Sequence, residues 1–303
     1  MTKAPKDIAA SVRARLLHLA KSRGEDFQLL LTRYANERLL YRLSKSKHAG
    51  SFVLKGAALF ALWTEKPHRA TRDVDLLGFG DPSSDRMRSV LVDVIGTAVD
   101  DDGLVFDASS FEIGPIREEQ EYGGIRAVLI AHLAAAKIRL QIDIGFGDVI
   151  TPQAIEVEYP ALLEFPAPHL RAYPRETVVA EKLEALVQLG LANSRMKDFY
   201  DLTVLSRTFG FDGDLLVRAI RATFGRRKTE LPTELPIGLT PAFAADPTKR
   251  SQWTAFVRKT GAQDAGDLQT VVEQIIEFAG PPLLAAASGT GYAKRWSPGG
   301  AWT

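Results

Sequence analysis

Residues 51–63, SFVLKGAALFALW, and residues 72–81, RDVDLLGFGD, decide the fold. The first stretch reads as a short strand to Leu54, a break at Gly56 and a helix from Ala57; the second reads as a strand closed by Gly78 and Gly80. Upstream, DFQLLLTRYANERLLYRLSKS at 26–46 places Phe27, Leu30, Leu31, Tyr34, Leu39 and Leu43 near helical spacing, with Asp26 set to cap the N-terminus. Downstream, a helical stretch near 84–99 precedes strand-like runs at 104–117 and 124–147, the last ending KIRLQIDIGFGD. This alternation predicts an α/β sheet domain. Proline- and acid-rich loops fill 151–174, and five segments with apolar periodicity and glycine stops follow. The predicted organisation is a mixed-sheet α/β domain with N-terminal helices over 1–160, a mostly helical domain over 161–285, and a tail over 286–303, loose or pinned by Trp296 and Trp302.

Composition narrows the chemistry. The chain has 303 residues, 46% hydrophobic and 25% charged, which is ordinary globular usage with enough length for about two domains. It contains no cysteine, so disulfides, thiolate zinc sites, iron–sulfur clusters and a cysteine nucleophile are excluded. The five histidines have no metal-binding spacing, and neither a G-x-S-x-G elbow nor a P-loop occurs. GFGDPS, after Leu77, lacks the last glycine of a dinucleotide fingerprint. The opening MTKAPKDIAASVRARLL has no signal-like apolar region, and the longest apolar stretch, AVLIAHLAAAKI, is broken by His132 and shorter than a membrane span. A soluble cytoplasmic protein without membrane contact is expected.

The net charge of +1 conceals an asymmetry. Residues 1–50 hold eleven Lys/Arg against four Asp/Glu, whereas 73–121 hold thirteen Asp/Glu against Arg86, Arg88 and Arg117. A second basic cluster comprises Arg218, Arg221, Arg226, Arg227 and Lys228. For any one of these charges a solvated helix face is the simpler reading. As a pattern, an acidic centre between basic flanks suits a metal-dependent enzyme acting on a polyanion.

Asp73 and Asp75 stand two apart in a strand, so both carboxylates emerge on one face and repel unless a cation separates them. A hard divalent ion with oxygen ligands is the functional solution. The ending DVDLLGFGD at 73–81 is echoed by QIDIGFGD at 141–148, making Asp143 a third carboxylate on a neighbouring strand. Three such carboxylates can hold two ions about 3.5–4 Å apart, as nucleotidyl transfer requires. Lys55-Gly56-Ala57 sits at a strand-to-helix turn, where backbone N–H groups can bind phosphate. Lys182 could reach phosphates as a point charge or pair with Glu181 or Glu184; Asp198 and Asp201 share a helical face with Arg195 and could be a salt-bridged support or a second acidic wall.

Taken in order, RYANERLLYRLSKS, FVLKGAALFALW, RATRDVDLL, QIDIGFGD, VVAEKLEALVQLG and SRMKDFYDL resemble the AbiEii/AbiGii toxin family of nucleotidyltransferases, MenT-like members of the DNA polymerase beta-type superfamily, over about residues 25–210. The resemblance implies a polymerase beta-type nucleotidyltransferase domain in which Asp73 and Asp75 bind Mg²⁺, or Mn²⁺ in its place, with Asp143 as third metal ligand by the superfamily pattern. It implies that Lys55, Gly56 and Ala57 form the turn before the nucleotide site, with Thr71, Arg72 and Lys182 also contributing there. Thr71 matches a hydroxyl near the active site, Lys182 the family's lysine, and Asp201 or Asp198 its late catalytic aspartate, the later one preferred. The family's Lys-Gly-Gly has become Lys55-Gly56-Ala57, adding a methyl at the third position.

The expected function is therefore an Mg²⁺-dependent nucleotidyltransferase toxin of a toxin–antitoxin or phage-defence system. It would move NMP from an NTP to an RNA acceptor, the tRNA 3′ end, and be countered by an antitoxin such as a winged-helix protein. Two other readings stand beside it: transfer to a small hydroxyl acceptor, as in antibiotic-modifying enzymes, and a non-catalytic interaction module with a vestigial site. The basic first fifty residues favour a polymeric acceptor.

Overall fold

Asp26 caps its helix as its position predicts, with Oδ1 accepting the Leu29 N–H at 2.8 Å. In the computed structural model, residues 7–64, 71–116 and 123–303 are described. Two units divide them: Met1–Gly147 with Ile155–Ala172, and Asp148–Ala154 with Tyr173–Thr303.

In the first unit, α1 (Ile8–Arg23) and α2 (Phe27–Lys45) precede β1 (Phe52–Lys55), a 3-10 turn over Gly56–Leu59 and the one-turn helix α3 (Phe60–Trp63). Then come β2 (Asp73–Gly78), α4 (Ser84–Ile95), β3 (Leu104–Ile116), β4 (Gly124–Leu133), β5 (Ala136–Phe146), β6 (Ile155–Glu158) and β7 (His169–Ala172). The strands form one mixed sheet in the order β3-β4-β5-β2-β1-β7-β6. β2 runs parallel to β5 and antiparallel to β1, and β7 runs parallel to β1. Val74 and Leu76 of β2 and Ile142 of β5 point to one side, where Leu39, Leu40 and Leu43 of α2 and Leu91 and Val94 of α4 meet them. Each such fully buried aliphatic side chain contributes about 1.5–3 kcal/mol. Period-two alternation then turns Asp73, Asp75, Gln141 and Asp143 to the opposite face.

The strand-like run over 124–147 is two strands, β4 and β5, reversing at Ala134 with φ 50°. The stretch 151–174, read as loop, contributes β6 and β7. Their shortness and flanking prolines hid them, and the pairing of β7 with the distant β1, Leu54 opposite Ala172, is invisible to local pattern. The last segment of the first unit, Ile155–Ala172, includes both strands. Buried charge ties that segment to α2. Glu37 and Arg38 pair at 2.7 Å with both side chains 1% exposed, the Glu37 carboxylate accepts the Leu162 N–H at 2.7 Å, and Arg38 donates to the Pro166 carbonyl at 2.8 Å. An ion pair taken out of water needs those extra partners, and they lie in the 160s.

In the second unit, α5 (Arg175–Leu189), α6 (Met196–Thr208), β8 (Phe211–Asp212) and α7 (Gly213–Arg227) lead to α8 (Pro241–Ala245), α9 (Pro247–Thr260), α10 (Leu268–Ser288) and β9 (Arg295–Trp296). The 286–303 stretch is no loose tail: β9 pairs with β8, the Trp296 indole donates to the Ser206 carbonyl at 2.7 Å, and the Trp302 indole donates to Phe278 at 2.8 Å. Tryptophans bury area while their N–H groups find acceptors, which pins an otherwise glycine-rich segment.

Candidate active site

The register places the acids. Asp75 of β2 lies beside Asp143 of β5, Asp73 beside Gln141, and on the other flank Lys55 of β1 lies opposite Asp75. Neighbouring strands are about 4.8 Å apart, so the face carries Lys55, Asp75 and Asp143 as adjacent residues in one row. Both aspartates of β2 are half-buried.

Gly56 supports this row. Its φ is 69°, and a Cβ built on it would overlap the Asp75 carboxylate. The left-handed backbone and the bare α-carbon together let Asp75 rest against the turn that leaves β1. The helix expected from Ala57 begins as the 3-10 turn Gly56–Leu59, with Ala57 in its first half. Thr71 sits on the extended approach to β2, its hydroxyl 3.4 Å from the Asp73 carbonyl, and Arg72 is exposed, its own carbonyl accepting from Asn36 at 2.9 Å.

Asp143 has partners that sequence reading missed. Arg126 of β4 grips it in a two-point fork, Nε at 2.8 Å and Nη2 at 2.7 Å, and the Gln141 amide lies 3.3 Å from both carboxylate oxygens. Alternation could have marked Arg126 as the polar residue of an apolar run, but only the antiparallel register sets it opposite Asp143. Among the described residues no three His, Asp or Glu side chains converge closely enough to hold a metal ion as they stand. The donors nonetheless suit a hard divalent cation: Asp73 and Asp75 offer carboxylate oxygens on one face, and Gly56 keeps the Asp75 carboxylate uncrowded.

The second unit carries the other candidates. Lys182 of α5 pairs with Asp198 at 2.8 Å and Asp201 at 2.7 Å, both from α6, and the carboxylate side chains are 1% and 0% exposed. Arg195 adds its Nε to Asp198 at 2.7 Å. Burial raises the Asp198 pKa, but the Lys182 and Arg195 charges outweigh it and hold the carboxyl below its ordinary value. Lys182 thus joins both late aspartates, while Glu181 and Glu184, its expected alternatives, pair with Arg227 at 3.2 and 2.7 Å.

Much of the charge asymmetry proves structural. In the basic N-terminus, Arg42 grips the buried Asp102 at 2.6 and 3.0 Å, Arg33 pairs with Glu25 at 2.6 Å and Lys47 with Asp93 at 2.9 Å. Arg221 donates to carbonyls of Ala285, Ala286 and Thr290, and Arg227 to Asp148 and Glu184. Arg117, Glu118, Glu119 and Glu121, like Lys3 and Lys6, lie outside the described residues.

A mixed sheet presenting an aspartate pair beside a strand-to-turn glycine is an arrangement suited to nucleotidyl transfer, and comparison supplies the family. The profile of "Nucleotidyl transferase AbiEii toxin, Type IV TA system" matches residues 38–274, so the chain belongs to this nucleotidyltransferase family. No curated protein matches it. Two solved structures are similar. JHP933 from Helicobacter pylori is 16% identical, with 85% of this chain and 93% of that one covered at a TM-score of 0.48. A candidate nucleotidyltransferase from H. pylori is 15% identical, with 83% and 92% covered at 0.47.

Proposed function

We propose that the protein is a divalent-metal-dependent toxin that transfers NMP from an NTP to an RNA acceptor, the tRNA 3′ end. The observation that carries this reading is the row Lys55, Asp75, Asp143 with Asp73 on the same face and Gly56 cradling Asp75. Family membership adds nucleotidyl transfer as the activity.

In this reading Asp73 and Asp75 hold Mg²⁺ or Mn²⁺, and Asp143 is the third ligand once Arg126 releases it. A divalent ion so held supplies Lewis acidity to the attacking hydroxyl and to the leaving oxygen. Lys55 and the N–H groups of the Gly56–Ala57 turn bind triphosphate oxygens, and Thr71 and Arg72 border the nucleotide. The acceptor hydroxyl oxygen forms a bond to the α-phosphorus, the bond between that phosphorus and the α–β bridging oxygen breaks, pyrophosphate leaves with the electron pair, and the hydroxyl proton passes to water. Lys182, oriented by Asp198 and Asp201, is the candidate catalytic group of the second unit.

Incubation of purified protein with each labelled NTP, Mg²⁺ and total tRNA tests the reading. Label should appear in RNA with wild type and vanish with Asp73→Ala; equal labelling by the two proteins, or none by wild type, overturns it. A type IV system also pairs the toxin with an antitoxin, for which we propose a winged-helix protein encoded alongside. Among the described residues no helix is long and apolar enough to cross a membrane, and the proposed substrates place the enzyme in the cytoplasm.

A further inference from the structure

The polyanion-binding charges expected in the first fifty residues are largely spent on ion pairs within the first unit, which raises the question of what would hold an acceptor strand. On the face that carries Asp73, Asp75 and Asp143, β5 continues from Asp143 through Gln141 to Arg139 and Lys137, at alternate positions. Arg139 and Lys137 are both exposed, and neither makes an ion pair among the described residues. Directly across on β4 are Ile130, opposite Arg139, and His132, opposite Lys137. Residues facing each other across a ladder share a face, so two cations, an imidazole and an aliphatic surface extend from the acidic row. At about 3.4 Å per residue, Lys137 stands roughly 20 Å along the strand from Asp143.

The outer edge has the opposite sign. Asp107 of β3 lies opposite Ile130, held by the Ser109 hydroxyl at 2.6 Å and the Ser109 N–H at 2.9 Å. A carboxylate there disfavours a phosphate beside β3.

We infer that Arg139 and Lys137 form a phosphate-binding track for the single-stranded 3′ end of the RNA acceptor, leading its terminal hydroxyl along β5 toward Asp143 and Asp75. The track rests on the RNA-acceptor reading and gives it a surface. An electrostatic track aligned with one strand sets register without reading sequence, because phosphates are common to every nucleotide.

The test is fluorescence anisotropy with a labelled single-stranded RNA 12-mer bearing a free 3′ hydroxyl, titrated between 50 and 300 mM NaCl. Three proteins are compared: wild type, K137A/R139A, and R258A/K259A, which removes two exposed cations from α9 and so matches the change in net charge. The track predicts about tenfold weaker binding for K137A/R139A at 100 mM salt, and a slope of log K against log salt reduced by roughly 1–1.5, about 0.7 for each lost phosphate contact. R258A/K259A should bind like wild type, and K137R/R139K, which keeps both charges, should restore binding. Equal weakening in the two double-alanine variants, or none in K137A/R139A, overturns the track. If wild type binds RNA and labels it while K137A/R139A binds equally well, the track fails and the RNA-acceptor reading survives. If wild type neither binds nor labels RNA, both fail.

Discussion

The two units treat clustered carboxylates in opposite ways. In the second unit Asp198 and Asp201 are buried around Lys182, and Asp148, Glu181 and Glu184 surround Arg227. In the first, Asp73 and Asp75 remain half-buried on an open sheet face, and Asp143 shares that face in the fork of Arg126. The physical difference is solvent. A carboxylate removed from water must be matched by a cation in good geometry, and once matched it specifies packing. A carboxylate left near water retains its charge and can exchange partners, which a substrate site requires.

That contrast can be broken most severely at Lys182. Lys182→Met leaves two buried carboxylates without their ammonium, and a loss of about 3–5 kcal/mol is expected in urea unfolding; a loss below 1 kcal/mol would mean the pair is not held by that charge. Asp75→Asn should do the reverse. Transfer to RNA should drop by about 10²–10³, as for the loss of one electrostatic contact at a reacting centre, while the melting temperature stays near wild type. A variant that melts early with its specific activity intact would assign Asp75 to structure.

Gly56→Ala bridges the two kinds of effect. A positive φ costs a residue with a Cβ about 1 kcal/mol, and the added methyl must also displace the Asp75 carboxylate, so activity should fall further than stability does. Arg126→Ala should change stability by less than about 1 kcal/mol, since the Arg126 side chain is 45% exposed. It should nonetheless lower the Mn²⁺ concentration giving half-maximal transfer, because Asp143 loses its competing partner. An unchanged midpoint would remove Asp143 from the metal site.

A further expected effect is a pH dependence. Burial, only partly countered by Arg38, pushes Glu37 up to about 7 from 4.5. Between those values the folded carboxyl keeps a proton that the unfolded one has lost, so stability should decline as pH rises through the interval. Glu37→Gln should flatten that part of the urea-midpoint profile. Asp198 has the opposite sign: its depressed pKa adds stability that is present above 3.8 and fades as pH falls through the folded value.

Local pattern carried the elements with strong periodicity or a clear cap, such as α2 with its Asp26 cap and α4, expected over 84–99 and observed over Ser84–Ile95. It failed at β6 and β7, four-residue strands of which β7 depends on β1, over a hundred residues away, and β6 depends on β7. It also could not sort the charges. Arg38, Arg42 and Arg227 look like solvated or substrate-facing cations in sequence, and each is engaged by a carboxylate of the fold.

The amino-acid order alone determined that Asp73 and Asp75 share a face, that a glycine ends the strand before them, and that no thiol chemistry is available, because these follow from side-chain type and a period of two. Tertiary structure decided which acids stay near water and which are neutralised in the interior, and it set Arg126 against Asp143 and Lys182 between Asp198 and Asp201. Those pairings depend on strand register and helix packing across long separations, and the energy of a charge depends on the solvent that packing leaves around it.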